Sequence, residues 1–179
     1  PRLIFTGQMD YAPNIAAVRR AATRILPLIR AQMPEASLHV VGRNPPEDVQ
    51  ELAKLPGCNV WGGVPDMRTW LAGADLALVP LESARGVQNK VLEAMAMCLP
   101  VVLTSGAATG IEATPGRHYA VAESDADLAS QALALLGDPV QSAAMGEAAR
   151  RFVTEDLSWP IVLAPLAKLL GLEGARHAA

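Results

Sequence analysis

The sequence predicts an α/β fold, a single doubly wound, Rossmann-like domain built on a parallel sheet. Three observations carry this. Short, almost uninterrupted apolar runs alternate along the chain with segments of helical periodicity. The runs lack the in-out alternation of a half-solvated strand, so both faces of the sheet are covered, the signature of parallel strands linked by helices. The 179 residues are 51% hydrophobic and 18% charged, enough to fill one sizeable core. No repeat, low-complexity stretch or linker divides them.

The elements follow in order. RLIFTG (2–7) reads as a buried strand ending in Gly7. Residues 13–34 place Ile15, Val18, Ala22, Ile25 and Leu26 at helical spacing, with Pro27 expected to kink the helix or end its first part. SLHVVG (37–42) is a strand and 46–55 a short helix with Glu47 and Asp48 in its first turn. CNVWGG (58–63) is a strand, and 66–74 a helix with Asp66 as N-cap. DLALVPL (75–81) is a strand, followed by a helix from Val87 to Met97. Strands are expected at 100–106 and 118–124, and a helix over 124–137 with Ser124 as cap and Asp127 in the capping-box position. Helices over 140–154 and 160–171 close the domain, and 172–179 reads as a frayed tail.

Composition excludes several functions. A formal net charge of −3 disfavours a nucleic-acid binder that relies on a basic face. No apolar run reaches the roughly 18 residues of a membrane-spanning helix, and no secretory signal is visible. Cys58 and Cys98 form no metal pattern with the three histidines and read as reduced, buried thiols. His39 and His118 read as structural. Trp61 and Trp70 read as core or pocket-wall packing. No G-x-G-x-x-G follows the first strand, which argues against a nicotinamide-dependent oxidoreductase. The chain starts at Pro1 and enters a strand at once, as an excised piece of a longer protein would.

In doubly wound folds ligands bind beyond the carboxyl ends of the strands, here the loops after Phe5, Val41, Val60, Val79 and Leu103. One such loop opens ESARGVQNKVLEAMAMCLPVV (82–102). The start of its helix offers free N–H groups and the positive end of the helix dipole to an anion. Gly86 permits close backbone approach. Asn89, Lys90 and Glu93 share one side of the first turns, opposite Val91, Leu92 and Met95. Arg85 and Lys90 can neutralise a diphosphate, and Glu93, one turn deeper, can accept from a ribose diol. The spacing therefore describes a nucleoside-diphosphate site, with Gly86, Val87, Gln88 and Asn89 as its backbone.

NKVLEAMAMCLPVV resembles the donor-binding motif of family 4 of the glycosyltransferases, and with FTGQMDYAPNIAAV, VWGGVPDMRTWLAGADLALVPL and residues 124–159 the resemblance covers nearly the whole chain. It implies the C-terminal half of a GT-B fold, with 1–171 as the donor-binding domain. Glu93 matches the second Glu of the family's Glu-x7-Glu segment, which binds the ribose hydroxyls. Arg85 stands at the first Glu, Gly86 beside it, and Cys98 where glycine is common. The Arg and Lys that usually follow the first strand are absent, so Arg85 and Lys90 are expected to supply that charge as leaving-group catalysts. The base is expected at Gly62, Gly63 and Val64, with Gly7 and Gln8 bordering the pocket and Ser105, Gly106 and Gly110 near the donor sugar. Asp10 and Tyr11 read as a turn residue and a packing residue, with a donor contact as the alternative.

The resemblance further implies a retaining, metal-independent glycosyltransferase. It would use a nucleotide sugar as substrate and no cofactor, in polysaccharide biosynthesis like the exopolysaccharide-associated transferases. Its partners would be that nucleotide sugar and an N-terminal acceptor-binding lobe outside this chain. That lobe would also mediate any peripheral association with the inner face of the membrane, the protein being cytoplasmic; the isolated chain would transfer nothing. The alternative is a nucleotide-binding or regulatory module of the same fold without transfer activity.

Overall fold

A computed structural model describes residues 1–158, 161–163 and 166. Six strands, β1 (Arg2–Thr6), β2 (Ser37–Val41), β3 (Cys58–Trp61), β4 (Leu76–Val79), β5 (Val101–Leu103) and β6 (Ala120–Val121), form one sheet in the order β3-β2-β1-β4-β5-β6. Every pairing is parallel; β1 aligns Leu3 with Leu38 of β2 on one side and with Leu76 of β4 on the other. The central strands are buried on both faces, which is why they read as continuous apolar runs.

Helices α1 (Ala12–Arg20), α2 (Leu26–Arg30) and α7 (Asp125–Gly137) form one covering layer. The predicted 13–34 helix is interrupted by a π-helical turn, Ala21–Ile25. Pro27 in the first turn of α2 has no N–H and crowds the carbonyl four residues back, and the wider turn absorbs both effects. On the other layer α5 (Asn89–Ala96) packs against α8 (Pro139–Glu155). Between them in sequence, α3 (Glu47–Gln50) runs into a 3₁₀ turn, Glu51–Lys54, and α4 (Met67–Ala72) starts at its expected cap, where Asp66 accepts from Arg68 N at 2.9 Å. Ser124 caps α7 by accepting from Asp127 N at 3.0 Å.

Three expectations change. The strand at 118–124 shrinks to Ala120–Val121. The strand expected at 100–106 ends at Leu103, and Ser105–Ala108 is a helical turn, α6, with Thr104 as its cap. Cys98 is exposed rather than buried, whereas Cys58 is buried and its thiol pKa is pushed up to about 11 by that burial. Most of the expected last helix (160–171), Trp159 and the tail 172–179 lie outside the described residues.

Two features lock the layers. Arg20, only 9% exposed, donates from Nε to Asp125 Oδ1 at 2.6 Å and to the carbonyls of Pro80 and Glu123, joining α1 to the end of β4 and the start of α7. At the end of α5, Leu99 N donates to Ala94 O (3.0 Å) and Cys98 N to Met95 O (3.1 Å), the two bonds of a Schellman motif. That motif needs a left-handed residue, and Cys98 sits there at φ 58°. The glycine usual at this position would serve backbone conformation. α8 crosses the same spot through Gly146, where a Cβ would lie 2.0 Å from Cys98 O.

Cys98→Gly relieves the left-handed strain and is expected to stabilise the fold by about 1 kcal/mol after the entropy cost of glycine, a melting-temperature rise of about 2–4 °C. Gly146→Ala is expected to destabilise by about 1–3 kcal/mol through overpacking. Scanning calorimetry of both variants checks the pair; a Cys98→Gly protein no more stable than wild type would refute the account of that position.

Candidate functional site

Strand order reverses between β1, whose chain leaves toward β2, and β4, whose chain leaves toward β5. A crevice opens at the carboxyl ends where the connections diverge. It is a cleft of about 540 Å³ lined from four loops: Thr6 to Asn14 after β1, Gly42 and Arg43 after β2, Gly63 to Met67 after β3, and Val87 to Glu93 at the start of α5.

Backbone proximity shapes its floor. Gly7 N donates to Val41 O at 3.2 Å and Met9 N to Arg43 O at 2.8 Å, so the β1 and β2 loops are tied together. Gly42 makes this contact geometrically feasible, because a Cβ there would lie 1.7 Å from Gly7 O. Neither Gly42 nor its neighbour Arg43 was singled out by the sequence reading. The signal available was the position itself, directly after β2 at the carboxyl edge.

Lys90 reaches from α5 across this floor. Its Nζ donates to Asn14 Oδ1 at 2.9 Å and to Gln88 Oε1 at 3.4 Å, and lies 5.3 Å from the centre of the Phe5 ring. Asn14, 4% exposed, is held in turn by donating from Nδ2 to Gln8 O at 2.8 Å. Burial lowers the ammonium pKa from its ordinary value, while the nearby Glu93 carboxylate works in the opposite sense. Gln88 precedes α5 in extended conformation and no side chain caps the helix, whereas Asp66, Thr104, Ser124 and Asp138 cap α4, α6, α7 and α8. Val91 N and Leu92 N donate to Gln88 O, and the N–H groups of Asn89 and Lys90, both residues of the cleft lining, have no side-chain cap. α5 begins two residues later than expected because Gly86, at φ +66°, turns the chain before it.

Of the residues singled out from sequence, Gly7, Gln8, Gly63, Val64, Val87, Gln88, Asn89, Lys90 and Glu93 line the cleft, as does Tyr11 at its rim. Six do not. Arg85 is exposed outside it, and only its backbone carbonyl is engaged, by Gln88 Nε2 at 3.5 Å. Gly86 shapes the turn and stays off the lining. Gly62 borders a separate depression beside Pro45 and Gln50. Ser105 N is taken by Glu123 Oε1 at 2.9 Å, which holds that carboxyl below its usual range. Gly106 and Gly110 lie off the lining, and a Cβ at Gly106 would stand 3.3 Å from Leu81 O and 3.4 Å from Glu82 O. The second cation of the cleft is therefore Arg43 in place of Arg85.

A family model described as "Glycosyl transferases group 1" matches residues 1–138. The chain belongs to the group 1 glycosyltransferases. A Corynebacterium glutamicum member of the curated proteins, a GDP-mannose-dependent monoacylated alpha-(1-6)-phosphatidylinositol monomannoside mannosyltransferase, is 30% identical over 93% of this chain and 49% of its own length. The group 1 chain thus spans about half of that relative. Among solved structures, the C-terminal domain of the group 1 protein LpcC from Francisella tularensis superposes with a TM-score of 0.69 at 17% identity, covering 88% of this chain and 86% of its own. TarM from S. aureus, solved with fondaparinux, alpha-GlcNAc-glycerol and UDP, gives 0.77 at 19% identity over 97% of this chain and 35% of its own. These likenesses establish the shared GT-B half-fold. Among the described residues of this group 1 domain no helix is long and apolar enough to cross a membrane, and no three His, Cys, Asp or Glu side chains cluster as a metal site.

The depressed Lys90 pKa gives a signed prediction. Between that value and the ordinary lysine value of 10.5, the unfolded chain binds more protons than the native one, so this group makes stability rise with pH. Lys90→Gln keeps an amide donor for Asn14 but cannot titrate. The stability of wild type relative to Lys90→Gln should therefore increase as pH climbs through the alkaline window. Denaturant titrations at several pH values check this; a difference independent of pH would show that the ammonium is not desolvated.

Proposed function

We propose that this cleft binds a nucleoside-diphosphate sugar as the donor half of a retaining, metal-independent glycosyltransferase. The observation that carries the reading is the Lys90 ammonium held over the cleft floor beside the uncapped start of α5, with Glu93 one turn further along. The diphosphate lies against Lys90 and the α5 N–H groups, and Glu93 accepts hydrogen bonds from the ribose hydroxyls. As the glycosidic bond to the leaving phosphate breaks, negative charge builds on the β-phosphate. Fixed donors aimed at such charge are typically worth about 2.7–4 kcal/mol each. Lys90 and the helix start fill that role; the lining gives no support to Arg85 sharing it. The retaining outcome and the lack of a metal rest on the family resemblance. The named activity of the mannosyltransferase relative and the UDP in the TarM and Anabaena HepE structures support a nucleotide sugar as ligand.

The acceptor, a glycan or a lipid-linked glycan in polysaccharide synthesis, is proposed to bind an N-terminal lobe carried by the rest of the protein, working in the cytoplasm at the inner face of the membrane. No cofactor is needed for this chemistry. One observation favours the second reading, a nucleotide-binding module without turnover: Arg85 stands where the family has its sugar-contacting Glu and lies off the cleft.

Nucleoside diphosphates at about 100 times their dissociation constant should stabilise the folded chain by about 2.7 kcal/mol, a clear rise in melting temperature. Lys90→Ala and Glu93→Ala should remove most of that rise while remaining folded. No shift with any diphosphate, or equal shifts in both variants, would overturn the donor-site reading. Transfer from a nucleotide sugar by the full-length protein then separates enzyme from module.

A further inference from the structure

We infer that Arg43 reads the nucleobase of the ligand, and that it selects guanine. This rests on the donor-site reading above and adds the identity of the base. The cleft is chemically two-ended. The α5 flank carries Asn89, Lys90 and the uncapped helix start. The opposite flank, built from the β2 and β3 loops, carries the apolar surfaces of Val64 and Met67 together with Arg43. Two strand spacings separate β1 from β3, about 10 Å, the span from a diphosphate to the far edge of its base. A ligand with its phosphates at Lys90 therefore extends its base toward the flank that carries Val64, Met67 and Arg43.

Arg43 is built for edge recognition. Its backbone is fixed, with its carbonyl accepting from Met9 N at 2.8 Å and the adjacent Asn44 donating from Nδ2 to Asp10 Oδ2 at 3.2 Å. Its stem lies across Gly63, where a Cβ would stand 3.1 Å from Arg43 Cγ. No carboxylate among the described residues lies within ion-pair distance of Arg43, and Asp10, whose ionised form its charge favours, is the nearby anion that a ligand would share it with. A planar fork of donors matches two adjacent acceptors, and guanine presents O6 and N7 in that arrangement. Adenine replaces O6 with an amino donor, and uracil has one carbonyl on the corresponding edge. A lysine at this position supplies charge without the fork.

Calorimetric titration of the chain with GDP, UDP and ADP tests this. Wild type should bind GDP at least tenfold more tightly than UDP or ADP. Arg43→Ala should weaken GDP at least tenfold and the other two by less than threefold, erasing the preference. Arg43→Lys should not restore it. An equal loss for all three nucleotides in Arg43→Ala would overturn the inference and assign Arg43 to the phosphates, leaving the donor site intact. A wild-type preference for UDP or ADP would overturn it as well. Pyrophosphate titrated into wild type and Lys90→Ala reads the donor site separately. If pyrophosphate binding is absent, or is unaffected by Lys90→Ala, the donor-site reading itself fails and this inference with it.

Discussion

The working end of this domain depends on an ammonium group drawn partly out of water. Lys90 sits on α5, yet its charge is delivered to the loop after β1, where Asn14 accepts from it and the Phe5 ring lies beneath. The contact bridges the two diverging connections of the reversed sheet. It therefore does what cations on the first loop would do, from the opposite side of the crevice. A cation with few protein partners in a half-buried setting is poorly satisfied by its surroundings, and an anion arriving there gains what the protein does not supply.

The scaffold holds that arrangement through backbone proximity as much as through side chains. Gly42 lets the first two loops touch, Gly7 leaves room for Asn14 and the Lys90 stem, and Asn14 is tied to Gln8 O. Further back, the Arg20–Asp125 pair, with Arg24 on the second carboxylate oxygen at 2.5 Å, fastens α1 to the start of α7. Such a buried pair fixes geometry more than it adds stability, because desolvation offsets much of its attraction. The result is a rigid β1 loop against which α5 presents its uncapped end.

The sheet was legible because doubly buried strands are apolar throughout, and the starts of α4 and α7 because Asp66 and Ser124 advertise them. Lys90 and Glu93 were legible because helical spacing alone puts them on one side. What stayed hidden has a common cause. A glycine demanded by packing, such as Gly146 against the Cys98 carbonyl, looks the same in sequence as one demanded by a ligand. Arg43 lies in a loop without periodicity, and its stem rests across Gly63, a contact made far away in the chain. Arg85 was placed by proximity in sequence to Lys90, but the turn at Gly86 separates the two. α6, four residues long, carries no periodic signal.

The contrast between the two thiols has a practical consequence. Cys58 is buried at the start of the edge strand β3 with its ionisation suppressed, whereas Cys98 is exposed at the far end of α5. An alkylating dye added to the native protein will therefore couple at one place only. That place is the opposite tip of the helix whose beginning borders the crevice, about 12 Å away at 1.5 Å per residue. The molecule thus carries its own single-point handle for an optical reporter, with no engineered cysteine and no native one to delete.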